Sequence, residues 1–213
     1  MTEKALCAAQ ASVRREAQAA AEAAACIEST AFARAVDALK TCPRIVTCAS
    51  GTSGIAAKKF AHTLCCIERG AAFLPPCEAV HGGLGGLKRE DVLVLVSRGG
   101  KTAELLPVMD VCLKKGAKLI GVTENLEGDL ARCAQIVLPM TVRAESDPLG
   151  LMATASFVAT IAIFDALIAA LIVECNYTRE QFGLIHPGGA VGALLGAERQ
   201  IEQGGLETCM NHL

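Results

Sequence analysis

The chain has 213 residues, enough for one large domain that buries its own core without disulfide or metal staples. Apolar residues make up 52% and aromatics 3%, so the apolar content is small and aliphatic, which suits helices packed closely on a sheet or on a partner copy. A net charge of −2 without a basic cluster gives no reason to expect nucleic acid as a partner. Eleven cysteines, an odd number with neither a Cys-x-x-Cys pair nor zinc-finger spacing to His, read as buried thiols in a reducing cytoplasm.

No apolar core of signal-peptide type opens the chain. Residues 3–40 are Ala-rich without Gly or Pro and predict a helix or helix pair, which Cys42-Pro43 ends. Arg44 to Cys48 predicts the first strand. It runs into Ala49-Ser50-Gly51-Thr52-Ser53-Gly54 and a helix from Ile55 to about Glu68. This loop fits the relaxed dinucleotide fingerprint, with Ala in place of the first Gly. A nicotinamide site, however, wants an acidic residue at the end of the next strand, and Ala71 to Leu74 ends in Pro75-Pro76. Nicotinamide binding is set aside, and no cofactor is expected. Next come Glu78 and Val80-His81-Gly82-Gly83-Leu84-Gly85-Gly86. The glycines remove the side chains that would pack around His81, so a functional role weighs evenly against a structural one.

Val92 to Val96 is an unbroken β-branched and leucine run, the mark of a strand buried on both faces of a parallel sheet. Ser97-Arg98-Gly99-Gly100-Lys101-Thr102 follows, with a hydroxyl at each end and two cations between, and then a helix to Lys115 that tolerates Pro107 near its start. Strand, Gly loop and helix start make an anion site, so a phosphate-bearing ligand is expected, with Lys101 and Arg98 attracting it. A nucleotide P-loop would need Gly at position 95, where Leu stands, and is rejected. Lys118 to Val122 predicts a strand, Asp129 to Cys133 a short helix, and Gln135 to Leu138 a fifth strand.

A polar loop with Arg143, Glu145 and Asp147-Pro148 precedes Leu149 to Val173, an apolar stretch long enough to span a bilayer. Its interruptions at Thr154, Ser156, Thr160 and Asp165 and its acidic flanks predict a buried or interface helix instead. Asn176 to Ile185 predicts a short helix capped by Thr178, followed by His186-Pro187-Gly188-Gly189-Ala190. Strands alternating with helices give a three-layer α-β-α sandwich on a five-stranded parallel sheet, Rossmann- or flavodoxin-like, with ligands at the carboxyl ends of the strands.

Four stretches in this order, Ser50-Gly51-Thr52-Ser53-Gly54, Ser97-x-Gly-Gly-x-Thr102-x-Glu104, Glu145-x-x-Pro148-Leu149-Gly150 and His186-Pro187-Gly188-Gly189-Ala190, resemble the sugar isomerase (SIS) domain. Val80-His81-Gly82-x-Leu84-Gly85 and His-Pro-Gly-Gly resemble its arabinose 5-phosphate isomerase branch. The resemblance implies phosphate held by Ser50, Ser53, Ser97 and Thr102, with Gly51, Thr52 and Lys101 in the same loops. It implies a polar active-site set of Glu104, Glu145 and His186 with His81 nearby, and a homotetramer with sites formed between subunits; the sequence spacing of His81, His186 and Glu145 is not a metal signature, and no metal is assigned. Where that branch has Lys in the first loop this chain has Thr52, and where it has a second Ser in the phosphate loop this chain has Gly99; Lys101 or Arg143 is expected to restore the charge. The chain is also expected to lack the CBS modules that many relatives carry.

The expected organisation is an N-terminal helical segment at 1–42, an SIS domain at 43–196 and a tail at 197–213. The expected activity is aldose–ketose isomerisation of a sugar phosphate through an enediol, which needs a base, a proton shuttle and a group that stabilises the enediolate. Glu145 is assigned the carbon proton, His186 ring opening, and Glu104 either catalysis or a first-turn carboxylate favoured by the helix dipole. The alternatives are another phosphosugar or amino-sugar phosphate, or a non-catalytic sugar-phosphate sensor.

Overall fold

The computed structural model describes residues 1–188, 192, 193 and 195. The chain divides into two units, Met1–Leu171 and Ile172–Leu213. The expected tail at 197–213 and Gly189 and Ala190 of the His-Pro-Gly-Gly motif lie outside the described residues.

In the first unit the Ala-rich stretch forms α1 (Glu3–Glu22), α2 (Ala24–Ile27) and α3 (Thr30–Thr41). The break falls where Ser29 leaves the helix and its hydroxyl accepts from the Phe32 amide at 3.2 Å, capping α3. Five parallel strands follow, β1 (Ile45–Cys48), β2 (Ala71–Phe73), β3 (Val92–Val96), β4 (Lys118–Thr123) and β5 (Ile136–Pro139), in the order β2-β1-β3-β4-β5. Strands β1 and β3 are buried at every position, and β3 is central, as its apolar run requires.

The connecting helices are α4 (Gly51–Cys65), α5 (Pro76–Val80), α6 (Leu106–Lys115) and α7 (Asp129–Cys133), with single 3₁₀ turns at Gly83–Gly86 and Ala103–Leu105. Alternate strand residues Val46, Cys48, Leu93, Leu95 and Leu119 meet Ala79, Val108, Met109 and Leu130 in one core layer. The other face carries α4, where the Thr47 hydroxyl donates to the Ala57 carbonyl at 2.8 Å. Helix α4 starts four residues earlier than its sequence predicts. Gly54 allows this, because a Cβ there would stand 2.7 Å from the Ala49 carbonyl oxygen; helix and strand approach too closely for any side chain.

Helix α8 (Ala155–Glu174) starts later than the predicted apolar stretch. The Asp147 carboxylate accepts from the amides of Leu149, Leu151 and Met152 at 2.9, 3.1 and 2.9 Å, and Gly150 sits at φ +66°, so residues 149–152 are held as a turn. By length and composition α8 is the one described helix able to cross a membrane. Its buried side nonetheless packs inside the first unit, where Phe164 stacks on Phe60 of α4 with centroids 4.1 Å apart and Asp165 pairs with Lys59. In the second unit α9 (Arg179–Ile185) begins with a capping box between Thr178 and Gln181.

Candidate functional site

In the order β2-β1-β3-β4-β5 the chain leaves β1 toward one side and β3 toward the other, and ligands of such sheets bind at the carboxyl ends of that pair. Cys48 is in register with Leu95, so Ser50 and Ser97, each two residues further on, start neighbouring loops at one edge.

After β1, the first helical hydrogen bond of α4 runs from the Gly54 amide to the Ser50 carbonyl at 3.1 Å, leaving the amides of Gly51, Thr52 and Ser53 at the open end of the helix. Gly51 takes φ +57°, which only glycine adopts without strain. The Ser50 hydroxyl is buried and has no hydrogen-bond partner among the described residues. A buried hydroxyl left unpaired costs of order 1–3 kcal/mol, which a ligand oxygen would offset.

After β3, the Ser97 and Thr102 hydroxyls lie 2.8 Å apart and close the loop, whose turn is set by the Gly100 amide donating to the Ser97 carbonyl at 3.0 Å. The loop is braced from the β4 side: Asn125 Nδ2 donates to the Gly99 carbonyl and the Leu130 amide to that of Gly100, both at 3.0 Å. Gly100 is required there, since at φ +66° a Cβ would meet Thr123 Oγ1 at 3.2 Å and the Asn125 carbonyl at 3.3 Å.

A cavity of about 550 Å³ opens beside the loop after β1; no residue from Ser97 to Thr102 is in its lining. Ser50, Gly51, Gly54, Ile55 and Lys58 of α4 form one wall, Phe73, Pro75, Pro76, Cys77 and Val80 another, and Glu104 with Pro107 the third. Glu104 is exposed and enters from the 3₁₀ turn ahead of α6. His81 caps α5 next to the lining residue Val80 and is itself exposed and outside the lining.

Glu145 is arranged differently. It is 5% exposed; Oε1 accepts from Arg98 at 2.6 Å and from the Ser156 hydroxyl at 2.5 Å, and Oε2 from the Thr154 and Ser156 amides at 2.9 and 3.1 Å and the Thr154 hydroxyl at 3.2 Å. Burial pushes this carboxyl up. The Ser156 hydroxyl, the two amides and the Arg98 guanidinium outweigh it and hold Glu145 below the ordinary carboxylate value. A carboxylate so occupied, at the start of α8, is a weak proton acceptor. The carbon-proton role that the sequence suggests for Glu145 does not fit this geometry.

Arg98 is likewise engaged, with Nε 2.7 Å from Glu124 besides its bond to Glu145. Desolvation opposes its charge, but Glu124 first and then Glu145 raise its pKa. It ties the β3 loop to the β4 loop and to residue 145, so the phosphate attraction expected of it is corrected to a bracing role.

Residues 38–170 match the model of the SIS domain. The chain belongs to the SIS-domain family. This SIS-domain protein is similar to the arabinose 5-phosphate isomerase KdsD of Pseudomonas aeruginosa, 38% identical over 152 residues, which are 71% of this chain and 47% of that protein. KdsD of Yersinia pestis is 36% identical over 165 residues, 77% of this chain and 50% of its own length. The chain thus spans about half the length of these curated relatives. Among solved structures, a Listeria monocytogenes protein superposes with a TM-score of 0.84 at 45% identity, over 88% of this chain and 100% of that one. The E. coli CFT073 protein c3406, solved in complex with A5P, gives 0.80 at 32% identity with the same coverage.

Of the residues singled out by sequence, the SIS-domain cavity brings together Ser50, Gly51 and Glu104. Thr52 and Ser53 follow Gly51 in the first turn of α4, Thr52 exposed and Ser53 half-buried, and neither lines the cavity. Lys101 is exposed at the loop tip and Arg143 pairs with Glu22 at 2.8 Å, so neither brings its charge to the cavity wall. His186, in the second unit, stacks on Phe182 at 3.8 Å, and its Nδ1 faces the Phe182 carbonyl at 2.9 Å. If Nδ1 carries the proton it donates there, which leaves Nε2 as the proton-accepting atom. Lys58, not singled out from the sequence, also lines the cavity on the helix face of Ser50 and Gly54.

Proposed function

We propose that this chain is a sugar-phosphate isomerase that interconverts an aldose and a ketose phosphate, with arabinose 5-phosphate and ribulose 5-phosphate as the pair. The observation that carries this reading is the cavity in which the unpaired Ser50 hydroxyl and the Glu104 carboxylate share one space at the β1–β3 edge. The likeness to KdsD and to the A5P-bound c3406 supplies the substrate class.

In the proposed mechanism the phosphoryl group rests against the Ser50, Ser53, Ser97 and Thr102 hydroxyls and the open amides of α4, with the Gly51–Thr52 turn and Lys101 completing the loops. Once the sugar ring opens, Glu104 takes the proton from C2, the C2–H electron pair forms the enediol double bond, and the carbonyl electrons move to O1. Return of the proton to C1 gives the ketose. Hydrogen moves within one molecule and nothing is oxidised overall, so the reaction balances without a cofactor. Ring opening and proton transfer between O1 and O2 are assigned to imidazole, His186 by its place in the His-Pro-Gly-Gly motif and His81 by its place beside the cavity. Glu145 serves as a positioning residue through Arg98.

The proposed assembly is a cytoplasmic homotetramer that uses the N-terminal helices, with Leu6 and Val13 exposed on α1, and α8 as contact surfaces.

A thermal-shift series with arabinose 5-phosphate, ribulose 5-phosphate, glucosamine 6-phosphate and unphosphorylated arabinose tests the ligand class. Ligand at about 100 times its Kd stabilises by about 2.7 kcal/mol, so the pentose phosphates are expected to raise the melting temperature by several degrees and free arabinose to leave it unchanged. A response to glucosamine 6-phosphate alone would favour an amino-sugar phosphate enzyme, and no response to any phosphosugar would contradict the proposal.

A further inference from the structure

We propose that α1 is a clasp on residues 143–146, with Ser12 and Glu16 as positioning residues for the loop after β3; its consequence for substrate binding rests on the isomerase reading above. Residues 140–154 contain neither helix nor strand, so this segment, which carries Glu145, is placed by side-chain contacts. Helix α1 supplies part of them. Of its 20 residues only Ala19 is buried, so no apolar face seats it on the domain. Ser12, Arg15, Glu16, Ala19 and Glu22 instead share one helix face, at offsets of three, four, seven and ten residues, and that face meets residues 143–146.

The contact centres on Ser146, which is 3% exposed. Its hydroxyl donates to Glu16 Oε1 at 2.7 Å and accepts from the Ser12 hydroxyl at 2.9 Å, while its amide donates to Thr154 Oγ1 at 2.8 Å. A hydroxyl donating to a carboxylate is charge-assisted and stronger than a neutral pair. On either side Arg143 pairs with Glu22 at 2.8 Å, and Arg15 Nη1 stands 3.5 Å from the Glu145 carbonyl. Glu145 then holds Arg98 at 2.6 Å, and the Arg98 carbonyl accepts from the Thr123 hydroxyl and the Glu124 amide, both at 3.1 Å. Arg98 belongs to the turn between Ser97 and Thr102, the hydroxyls that the proposed mechanism sets against the phosphoryl group. None of the clasp residues lines the cavity that holds Glu104. Loss of the clasp is therefore read in phosphate affinity and not in the proton transfer.

The test compares the parent, Glu16→Ala, Glu16→Gln, Ser146→Ala, the double variant of Glu16→Ala with Ser146→Ala, and a control on exposed Arg14, Arg14→Ala. Each is titrated calorimetrically with arabinose 5-phosphate and inorganic phosphate, assayed for kcat at saturation, and followed by amide hydrogen exchange. Glu16→Ala is expected to weaken both ligands about fivefold with kcat within about twofold, and to speed exchange at the amides of Ser146, Thr154 and Gly100. Glu16→Gln keeps an oxygen for the Ser146 hydroxyl and is expected to recover most of the affinity. The double variant is expected to bind no more weakly than Ser146→Ala alone, because Glu16 acts through Ser146, and Arg14→Ala to match the parent. Parental affinity in Glu16→Ala, even with a lower melting temperature, would reduce α1 to a structural role and overturn the inference, as would additive losses in the double variant or an equal loss in Arg14→Ala. If the parent binds phosphate but isomerises nothing, the isomerase reading fails and the phosphate titration still decides the clasp. If it binds neither ligand, the isomerase reading fails and the exchange decides: unchanged rates at Ser146, Thr154 and Gly100 overturn the clasp, and faster rates at all three uphold it.

Discussion

Glu104→Gln is expected to lower kcat on arabinose 5-phosphate by about 10²- to 10⁴-fold, the usual worth of a positioned general base. Affinity for the sugar phosphate should stay within about twofold. The substitution removes the proton acceptor while preserving shape and most hydrogen bonding, and Glu104 is exposed, so stability has little to lose. Rapid-quench turnover with a parallel titration separates the two quantities. Near-parental turnover in Glu104→Gln would remove the carboxylate from the chemistry, since no other lining residue of the cavity is acidic among those described.

Glu145→Gln is expected to fail in a different way. The carboxamide brings two donors to a site where five donors already converge, so at least one of the Arg98, Ser156 and Thr154 contacts is lost. Arg98 is 36% exposed and partly screened, so most of the cost lies with the donors at the buried start of α8. A loss of about 3 kcal/mol is expected, equal to a fall of roughly 6–12 °C in melting temperature for a chain of this length. The pH dependence carries the sign. Glu145 has its carboxyl held below the ordinary value in the folded state, so its stabilising contribution is full above the unfolded carboxylate pKa and is lost as pH falls through the folded one. Parental stability should therefore drop between about pH 5 and the folded pKa more steeply than that of Glu145→Gln. An unchanged melting temperature with turnover abolished at full affinity would return the base role to Glu145.

The sheet was the most legible part of the chain. Val92 to Val96 is apolar at every position because both faces of β3 are covered, and a Gly-rich bend after each of β1 and β3 places two loops at one edge. Element starts were less legible. Helix α4 absorbs Gly51 to Gly54, which look like loop residues, because Gly54 permits close packing on Ala49. Residues 149–152 look helical by composition and are held as a turn by Asp147.

The same division holds at the site. Ser50, Gly51 and Glu104, which the resemblance to the SIS domain marks, line one cavity, since each belongs to a loop or helix start at the same sheet edge. The engagement of Arg98 was not legible, because its partners Glu124 and Glu145 lie 26 and 47 positions away and meet it only through the order β3-β4-β5. A cation in a glycine loop looks the same in sequence whether it faces a ligand or a buried carboxylate.

The most direct measurement is proton NMR of arabinose 5-phosphate incubated with the protein in deuterium oxide. The account predicts that the C2 proton signal disappears as ribulose 5-phosphate accumulates, and that Glu104→Gln slows both together. A C2 signal that persists with no ketose formed would contradict it.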